Sequence, residues 1–360
     1  MKIVQIMPEF GLAGAETMCE NLTYELIKLG HNVIVISMYD YHSAITERLE
    51  KAGVDVRYLG KKSGWDFSTI KKIKKILKES KADVVHTHRY CAQYAVPAAI
   101  MAGVKRRVHT VHSVAKEENG KLARKLNKIF FKMNALVPVA LSEKIQDTII
   151  DEYRLKRSAV PVIFNGIILD KCQVKTDYST TEKFKILHIG RFQDAKNHKG
   201  LIVAFEIFNR KYPNSELHLI GDGANKKEIE ELVIAKNISD RVVFHGLQSD
   251  IYQFLPSMDI FVLPSLYEGI PMTLIEAMGT GLPIVATAVG GIPDMLDENS
   301  AQLVPVDTKA IAEAFEKYYC DEFFRMSHGK EALKLSDRFS AETMARKYIN
   351  IYQEKEVYHG

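Results

Sequence analysis

KILHIG, residues 185–190, reads as a short apolar strand running into a glycine turn, and there a pattern begun at Lys2–Met7 starts over. The first pattern is β then α. Lys2–Met7 is a strand, Gly11–Gly14 a loop, and Ala15–Leu29 an amphipathic helix ended by Gly30. Strands follow at Val33–Ser37, Val54–Leu59 and Val84–Thr87, with helices at Ile45–Ala52 and at the lysine-rich Thr69–Glu79. After KILHIG come a helix at Leu201–Arg210 and strands within ELHLIGDG (216–223), RVVFHG (241–246), DIFVLP (259–264) and LPIVAT (282–287). Short apolar strands alternating with helices predict parallel sheets covered on both faces. The polar, aperiodic DKCQVKTDYSTTEK (170–183) reads as a linker. The expectation is an α/β protein of two doubly wound, Rossmann-like domains, 1–170 and 184–340. Ligands bind beyond the carboxyl ends of such strands, so two of these domains facing each other would enclose a cleft.

Composition fits that reading. The chain has 360 residues, 46% hydrophobic and 26% charged, which suits a soluble protein with a sizeable core. The start, MKIVQIM, stops at Pro8 and reads as a first strand, not as a signal peptide. No run approaches the roughly 18 apolar residues of a spanning helix. Cys19, Cys91, Cys172 and Cys320 are scattered and read as reduced thiols of a cytoplasmic protein, with neither a metal nor a disulfide role. The net charge of +4 is uneven: residues 1–170 hold 27 basic and 18 acidic side chains, the remainder 22 and 27. A basic half suits nucleic acid, an anionic membrane or phosphorylated substrates, and charge alone does not choose.

Three loops could carry chemistry. PEFGLAGAET (8–17) joins the first strand to the first helix, where free N–H groups and the helix dipole favour an anion. Gly11 and Gly14 would let backbone approach a ligand, although a plain tight turn reads as well. The spacing is not GxGxxG and no acid ends the second strand, so a dinucleotide is poorly supported. GRFQDAKNHKG (190–200) offers Arg191 and Lys196 past a strand end, either as partners of a diphosphate or as a solvated basic loop. EGIPMTLIEAMGTGLPIVAT (268–287) sets Glu268 before a helix start and Glu276 on its second turn. Pro271 fits the first helical position, leaving the N–H groups of Met272, Thr273 and Leu274 for a phosphate or hydroxyl. A carboxylate can accept two hydroxyl hydrogen bonds and so grip a vicinal diol. The blander readings are dipole complementarity for Glu268 and a solvated helix face for Glu276.

Together these segments resemble the GT-B glycosyltransferases of the retaining family 4, the glycosyl transferases group 1, over nearly the whole chain. GLAGAE resembles the amino-terminal glycine loop, HIGRFQDAKNHKG the GR…K segment, SLYEGIPMTLIEAMGTGLPIVAT the E-x7-E region and GGIPDML the turn after it. The resemblance implies a donor-binding carboxy-terminal domain, an acceptor-binding amino-terminal domain, and a final helix, about 341–360, crossing back onto the latter. It implies that Arg191, Lys196 and the backbone near Gly11 and Gly14 bind the donor diphosphate, Glu276 the ribose and Glu268 a sugar hydroxyl. Backbone amides of Gly269, Ile270, Met272 and Thr273 would contact sugar and phosphate. In HTVH (109–112), His112 matches the histidine near the reacting sugar, with His109 the weaker candidate.

No D-x-D occurs, so the expectation is a metal-independent transferase without cofactor, stabilising the leaving diphosphate by fixed cations and helix dipoles. Its expected partners are a nucleotide-sugar, UDP-linked, and a glycan or polyprenyl-linked acceptor of cell-surface polysaccharide synthesis; nucleic acid is not expected. The alternatives are a UDP-N-acetylglucosamine 2-epimerase-like isomerase and a non-catalytic nucleotide-sugar-binding subunit. One further segment, KLARKLNKIFFKMNAL (121–136), would align Leu122, Leu126, Ile129, Phe130 and Met133 on one helical face among Lys121, Arg124, Lys125, Lys128 and Lys132. It reads either as a helix lying on an anionic membrane, at the inner face of the plasma membrane, or as an ordinary core-packing helix. KKIKKILK (71–78) carries the same ambiguity.

Overall fold

The computed structural model describes residues 1–11, 14–180, 182–248 and 250–354. They form two compact units, Met1–Gly166 together with the chain from Ala341, and Ile167–Ser340. The first runs β1 (Lys2–Met7), α1 (Gly14–Lys28), β2 (Asn32–Ser37), α2 (Ala44–Lys51), β3 (Asp55–Tyr58), α3 (Ser68–Ser80), β4 (Val84–His88), α4 (Ala92–Ala102), β5 (Arg106–Val111), α5 (Ala115–Glu118), α6 (Lys121–Lys132), β6 (Val137–Ala140) and α7 (Glu143–Tyr153). The second runs β7 (Phe184–Ile189), α8 (His198–Lys211), β8 (Ser215–Ile220), α9 (Lys226–Ala235), β9 (Val242–Gly246), β10 (Ile260–Leu263), α10 (Met272–Thr280), β11 (Ile284–Thr287), β12 (Gln302–Val304), α11 (Thr308–Cys320) and α12 (Glu322–Ser336). Helix α13 (Ala341–Gln353) belongs to the first unit.

Each unit holds one parallel six-stranded sheet, ordered β3-β2-β1-β4-β5-β6 and β9-β8-β7-β10-β11-β12. The two orders are the same. Chain direction across the sheet reverses between β1 and β4 and between β7 and β10, so the loops leaving those pairs part to opposite faces. Helices cover both sides of the sheets: β4, β6, β10 and β11 are buried at every residue, and of these only β4, VVHTH, is largely polar.

The segment expected to be a linker is packed structure of the second unit. The Lys175 N–H donates to Thr280 O at 2.8 Å and the Tyr178 hydroxyl to Gly281 O at 2.8 Å, satisfying carbonyls at the end of α10. The unit boundary therefore falls at Gly166/Ile167, and 167–183 goes with the second unit. Strand β12 has three residues and gave no periodic signal.

Helix α13 buries Met344, Ala345, Tyr348, Ile351 and Tyr352 in the first unit. The Tyr348 hydroxyl meets Thr110 Oγ1 at 2.7 Å and the Tyr352 hydroxyl meets His86 Nδ1 at 2.7 Å. Residues 355–360, also expected to be helical, lie outside the described residues. Tyr348→Ala should cost about 3–5 kcal/mol, the range for removing a large buried aromatic. Amide exchange read by unit checks this: β4 and β5 should lose protection while β7 and β8 keep theirs. Unchanged protection in β4 and β5 would contradict the anchoring role.

Candidate functional site

In the second unit the loops after β7 and β10 meet where the sheet order reverses. Asn197, at φ +52°, caps α8 by accepting the Gly200 N–H at 3.2 Å, and its own amide donates to Pro264 O at 3.0 Å. The Leu266 N–H donates to Ala195 O at 2.8 Å. Above these backbone ties Lys196 Nζ donates to Glu268 Oε1 at 2.5 Å, and the Ser265 hydroxyl donates to the same oxygen at 2.6 Å. Both members of the pair are largely shielded, with side chains 23% and 10% exposed. Glu268 Oε2 and two of the three ammonium protons remain uncommitted among the described residues. The Lys196 stem runs beside Gly190, next to Arg191, which is exposed and has no ion-pair partner among the described residues. Sequence placed Lys196 and Glu268 on different loops, and the fold joins them.

Two glycines make the loops fit. A Cβ on Gly290, at φ +60°, would stand 1.8 Å from Glu268 O, so only glycine lets GGIPDML pass beneath the Glu268 loop. A Cβ on Gly221, at φ +141°, would stand 2.0 Å from Gly190 O and push the Arg191 loop away.

Helix α10 begins one residue later than expected. Pro271 is its N-cap in an extended conformation, and the Leu274 N–H donates back to Pro271 O at 3.1 Å. The amides of Met272 and Thr273 have no carbonyl a turn behind them, so two, not three, N–H groups stay available. Gly269 is exposed and Ile270 buried in the loop before them. Beyond Thr273 every residue of the helix is buried, Glu276 included at 7%. Glu276 is therefore no solvated face. Burial pushes its carboxyl up to about 8, partly offset by the Tyr252 hydroxyl, which donates to Oε1 at 3.3 Å. Tyr252 gave no signal in the sequence. The spacing of Glu276 from Glu268 across a helix start is the signal that pointed to it.

In the first unit Gly14 opens α1 and Gly11 ends the loop after β1, while Leu12 and Ala13 lie outside the described residues. Across the reversal point of this sheet Arg89, at φ +51°, binds Glu16 Oε1 at 2.7 Å. Sequence reading passed over that pair. His112, just past β5, is partly buried. Its N–H donates to Glu118 Oε1 at 2.6 Å, and its Nε2 lies 3.0 Å from His88 Nδ1. Burial, followed by His109 and Arg89, lowers the His112 imidazolium to about 3. His109 is fully buried, with Nδ1 on Thr87 Oγ1 at 2.8 Å and Nε2 3.7 Å from Glu118 Oε2. His88 was missed, although the HTH at 86–88 put two histidines on one strand face.

Helix α6 leaves much of its apolar face outside the core, against the core-packing reading. It buries Ala123, Asn127 and Phe131, whereas Leu122, Ile129 and Met133 are 56%, 50% and 72% exposed. Phe130 packs partly against the core, and Arg124 is tied to Glu152 at 3.0 Å, which removes it from the free basic stripe. The helix ends at Lys132, short of the expected 136. Helix α4 lies between α3 and α6 and exposes Ile100 and Met101. No helix of the described residues is long and apolar enough to cross a membrane.

A family model described as glycosyl transferases group 1 matches residues 175–335, and one described as glycosyltransferase family 4 matches residues 12–171. The N-acetyl-alpha-D-glucosaminyl L-malate synthase of Bacillus anthracis is 27% identical over 81% of this chain and 79% of that protein. The UDP-Gal:alpha-D-GlcNAc-diphosphoundecaprenol alpha-1,3-galactosyltransferase of Escherichia coli is 30% identical over 63% of each, less than two thirds of its length. The crystal structure of Anabaena Alr3699/HepE in complex with UDP superposes with a TM-score of 0.82 at 19% identity, covering 97% of this chain and 99% of that one.

Glu276 makes a prediction about pH. Its carboxyl ionises in the unfolded chain at about 4.3 and in the folded one at about 8. Between those values the folded state holds a proton that the unfolded state has released, so stability declines as pH rises through the window. Urea unfolding at several pH values should show this decline flattened in Glu276→Gln. Identical slopes for the two proteins would contradict it.

Proposed function

The chain belongs to the glycosyl transferases group 1, of GT-B fold, and from that premise we propose that it transfers a sugar from a UDP-sugar to a lipid-linked or glycan acceptor with retention of anomeric configuration. The second unit takes the donor and the first the acceptor. The observation that carries this reading is the shielded Lys196–Glu268 pair, set beside Arg191 and the open amides of α10. A cation already desolvated and aimed by a carboxylate needs little reorganisation to receive the charge that develops on a leaving diphosphate. Lys196 and Arg191 take that charge, and the N–H groups of Met272 and Thr273 add to it at a helix N-terminus. Glu268, through Oε2, holds a sugar hydroxyl and is not a covalent nucleophile. Glu276 accepts from the ribose diol. His112 contacts the transferred sugar, and the acceptor attacks from the face the diphosphate leaves, without a metal ion.

The UDP bound by the Anabaena protein and the diphosphoundecaprenol substrate of the Escherichia coli relative support the choice of donor and acceptor class. A lipid-linked acceptor of cell-surface polysaccharide also gives the outward face of α6 a purpose. Leu122, Ile129 and Met133, with Lys121, Lys125, Lys128 and Lys132 on the same helix, suit the inner face of an anionic membrane.

Lys196→Ala and Arg191→Ala should each reduce kcat about 10²–10³-fold, as removal of a preorganised charge-stabilising donor does elsewhere, with the fold intact. Release of UDP from a panel of UDP-sugars measures this, and near-wild-type turnover in both variants would overturn the assignment. Calorimetry with UDP should separate the acids: Glu276→Ala loses the ribose contact and most of the affinity, whereas Glu268→Ala, which leaves Lys196 unaimed, loses less affinity for UDP and more of kcat.

Replacing Lys121, Lys125, Lys128 and Lys132 with glutamine should release the protein from anionic vesicles. Wild-type binding should weaken with salt, since each cation contributes about 1 kcal/mol near such a surface. Indifference of wild-type protein to anionic vesicles at low salt would remove the membrane from the account.

A further inference from the structure

His112 ends a continuous series of hydrogen bonds whose polarity can be read from its far end. On α1 the Thr23 hydroxyl donates to Cys19 O, one turn back, at 2.8 Å. That uses its only hydrogen, so its oxygen faces Gln5 Nε2, 2.7 Å away, as an acceptor. The Gln5 amide is thereby oriented, and its Oε1 points the other way, toward Cys19 Sγ at 3.3 Å and His88 Nε2 at 3.2 Å. Oε1 has no hydrogen to give. His88 Nε2 must supply one.

Burial, first, and the neighbouring His86, His112 and His109 hold the His88 imidazolium well below its ordinary pKa, so His88 is neutral. A neutral ring protonated on Nε2 has a bare Nδ1. That bare nitrogen lies 3.0 Å from His112 Nε2, and two bare nitrogens at that distance would repel. His112 therefore carries its hydrogen on Nε2. Its Nδ1 has no hydrogen-bond partner among the described residues, and the ring is only partly buried.

We propose that Thr23, Gln5 and His88 act as positioning residues that lock His112 in the Nε2-protonated tautomer, presenting Nδ1 as a lone-pair acceptor for a hydroxyl of the sugar. The contact with sugar rests on the function proposed above; the tautomer does not. The consequence is selectivity by chemical class. A donor hydroxyl at the contacted position is accepted, and a deoxy sugar leaves a polar nitrogen unpaired.

The test uses the full-length protein with ¹⁵N-labelled histidine and needs no substrate. Imidazole nitrogen spectra should show His112 with a pyrrole-like Nε2 and a pyridine-like Nδ1. A pyrrole-like Nδ1 or averaged tautomers would overturn the proposal. Two variants separate positioning from packing. His88→Asn places an amide oxygen where Nδ1 stood, whereas His88→Leu removes the acceptor, and both lose the bond to Gln5. His112 should keep its tautomer in His88→Asn and lose it in His88→Leu. With a UDP-sugar that turns over, kcat should fall about tenfold in His88→Leu, the effect of one lost hydrogen bond, and His88→Asn should recover most of it. Equal losses in both variants with the tautomer unchanged would make His88 merely structural and refute the assignment. If no UDP-sugar turns over, the proposed function fails, while the nitrogen spectra still decide the tautomer.

Discussion

The ion pair between Lys196 and Glu268 depends on a constraint of topology. Where strand order reverses, the loops after β7 and β10 part to opposite faces, and side chains from both can meet over the gap. Here they meet as a shielded pair at 2.5 Å, above the Asn197–Pro264 and Leu266–Ala195 ties. The first unit repeats the device with Arg89 and Glu16 at 2.7 Å across β1 and β4. Removing either member of the Lys196–Glu268 pair, or Arg89 from its pair with the buried Glu16, strands a charge that water no longer solvates well. In the second unit the carboxylate therefore does two things, keeping Lys196 at a shielded strand end and aiming it.

Around these pairs the molecule tolerates buried polar groups that simple packing would exclude. Glu276 sits in a helix buried on all sides, and His86, His88 and His109 are fully buried between β4, β5 and their covering helices. Each histidine has a hydrogen-bond partner, which limits the cost of burying it. Among the described residues the Glu276 side chain has one hydrogen-bond partner, the Tyr252 hydroxyl, and burial makes its carboxyl hard to ionise. A ligand that donates two hydroxyls to that carboxylate would relieve the deficit.

The fold was legible because parallel strands buried on both faces leave unbroken apolar runs, and because the pattern starts twice. Arg191, Lys196 and Glu268 stood out as charges in loops past strand ends, and Glu276 by its spacing from Glu268 across a helix start. What escaped depends on contacts made far along the chain. Residues 170–183 look like a linker until Tyr178 reaches the end of α10. Helix α6 shows the limit of periodicity: its moment marks an apolar face, but only packing tells that Leu122 and Ile129 point outward and Phe131 inward. Pro271 was placed one residue too far into α10, since a proline suits both the cap and the first turn. Tyr252 left no local pattern, whereas His88 stood in one, the alternation of HTH at 86–88, whose partner His112 lies far along the chain.

Crystals soaked with UDP give the most direct measurement of the central claim, that Lys196, aimed by Glu268, receives the donor diphosphate. The account predicts diphosphate oxygens within hydrogen-bond distance of Lys196 Nζ and the Arg191 guanidinium, and the ribose hydroxyls on Glu276. A diphosphate bound elsewhere, with Lys196 still engaged by Glu268 alone, would contradict it.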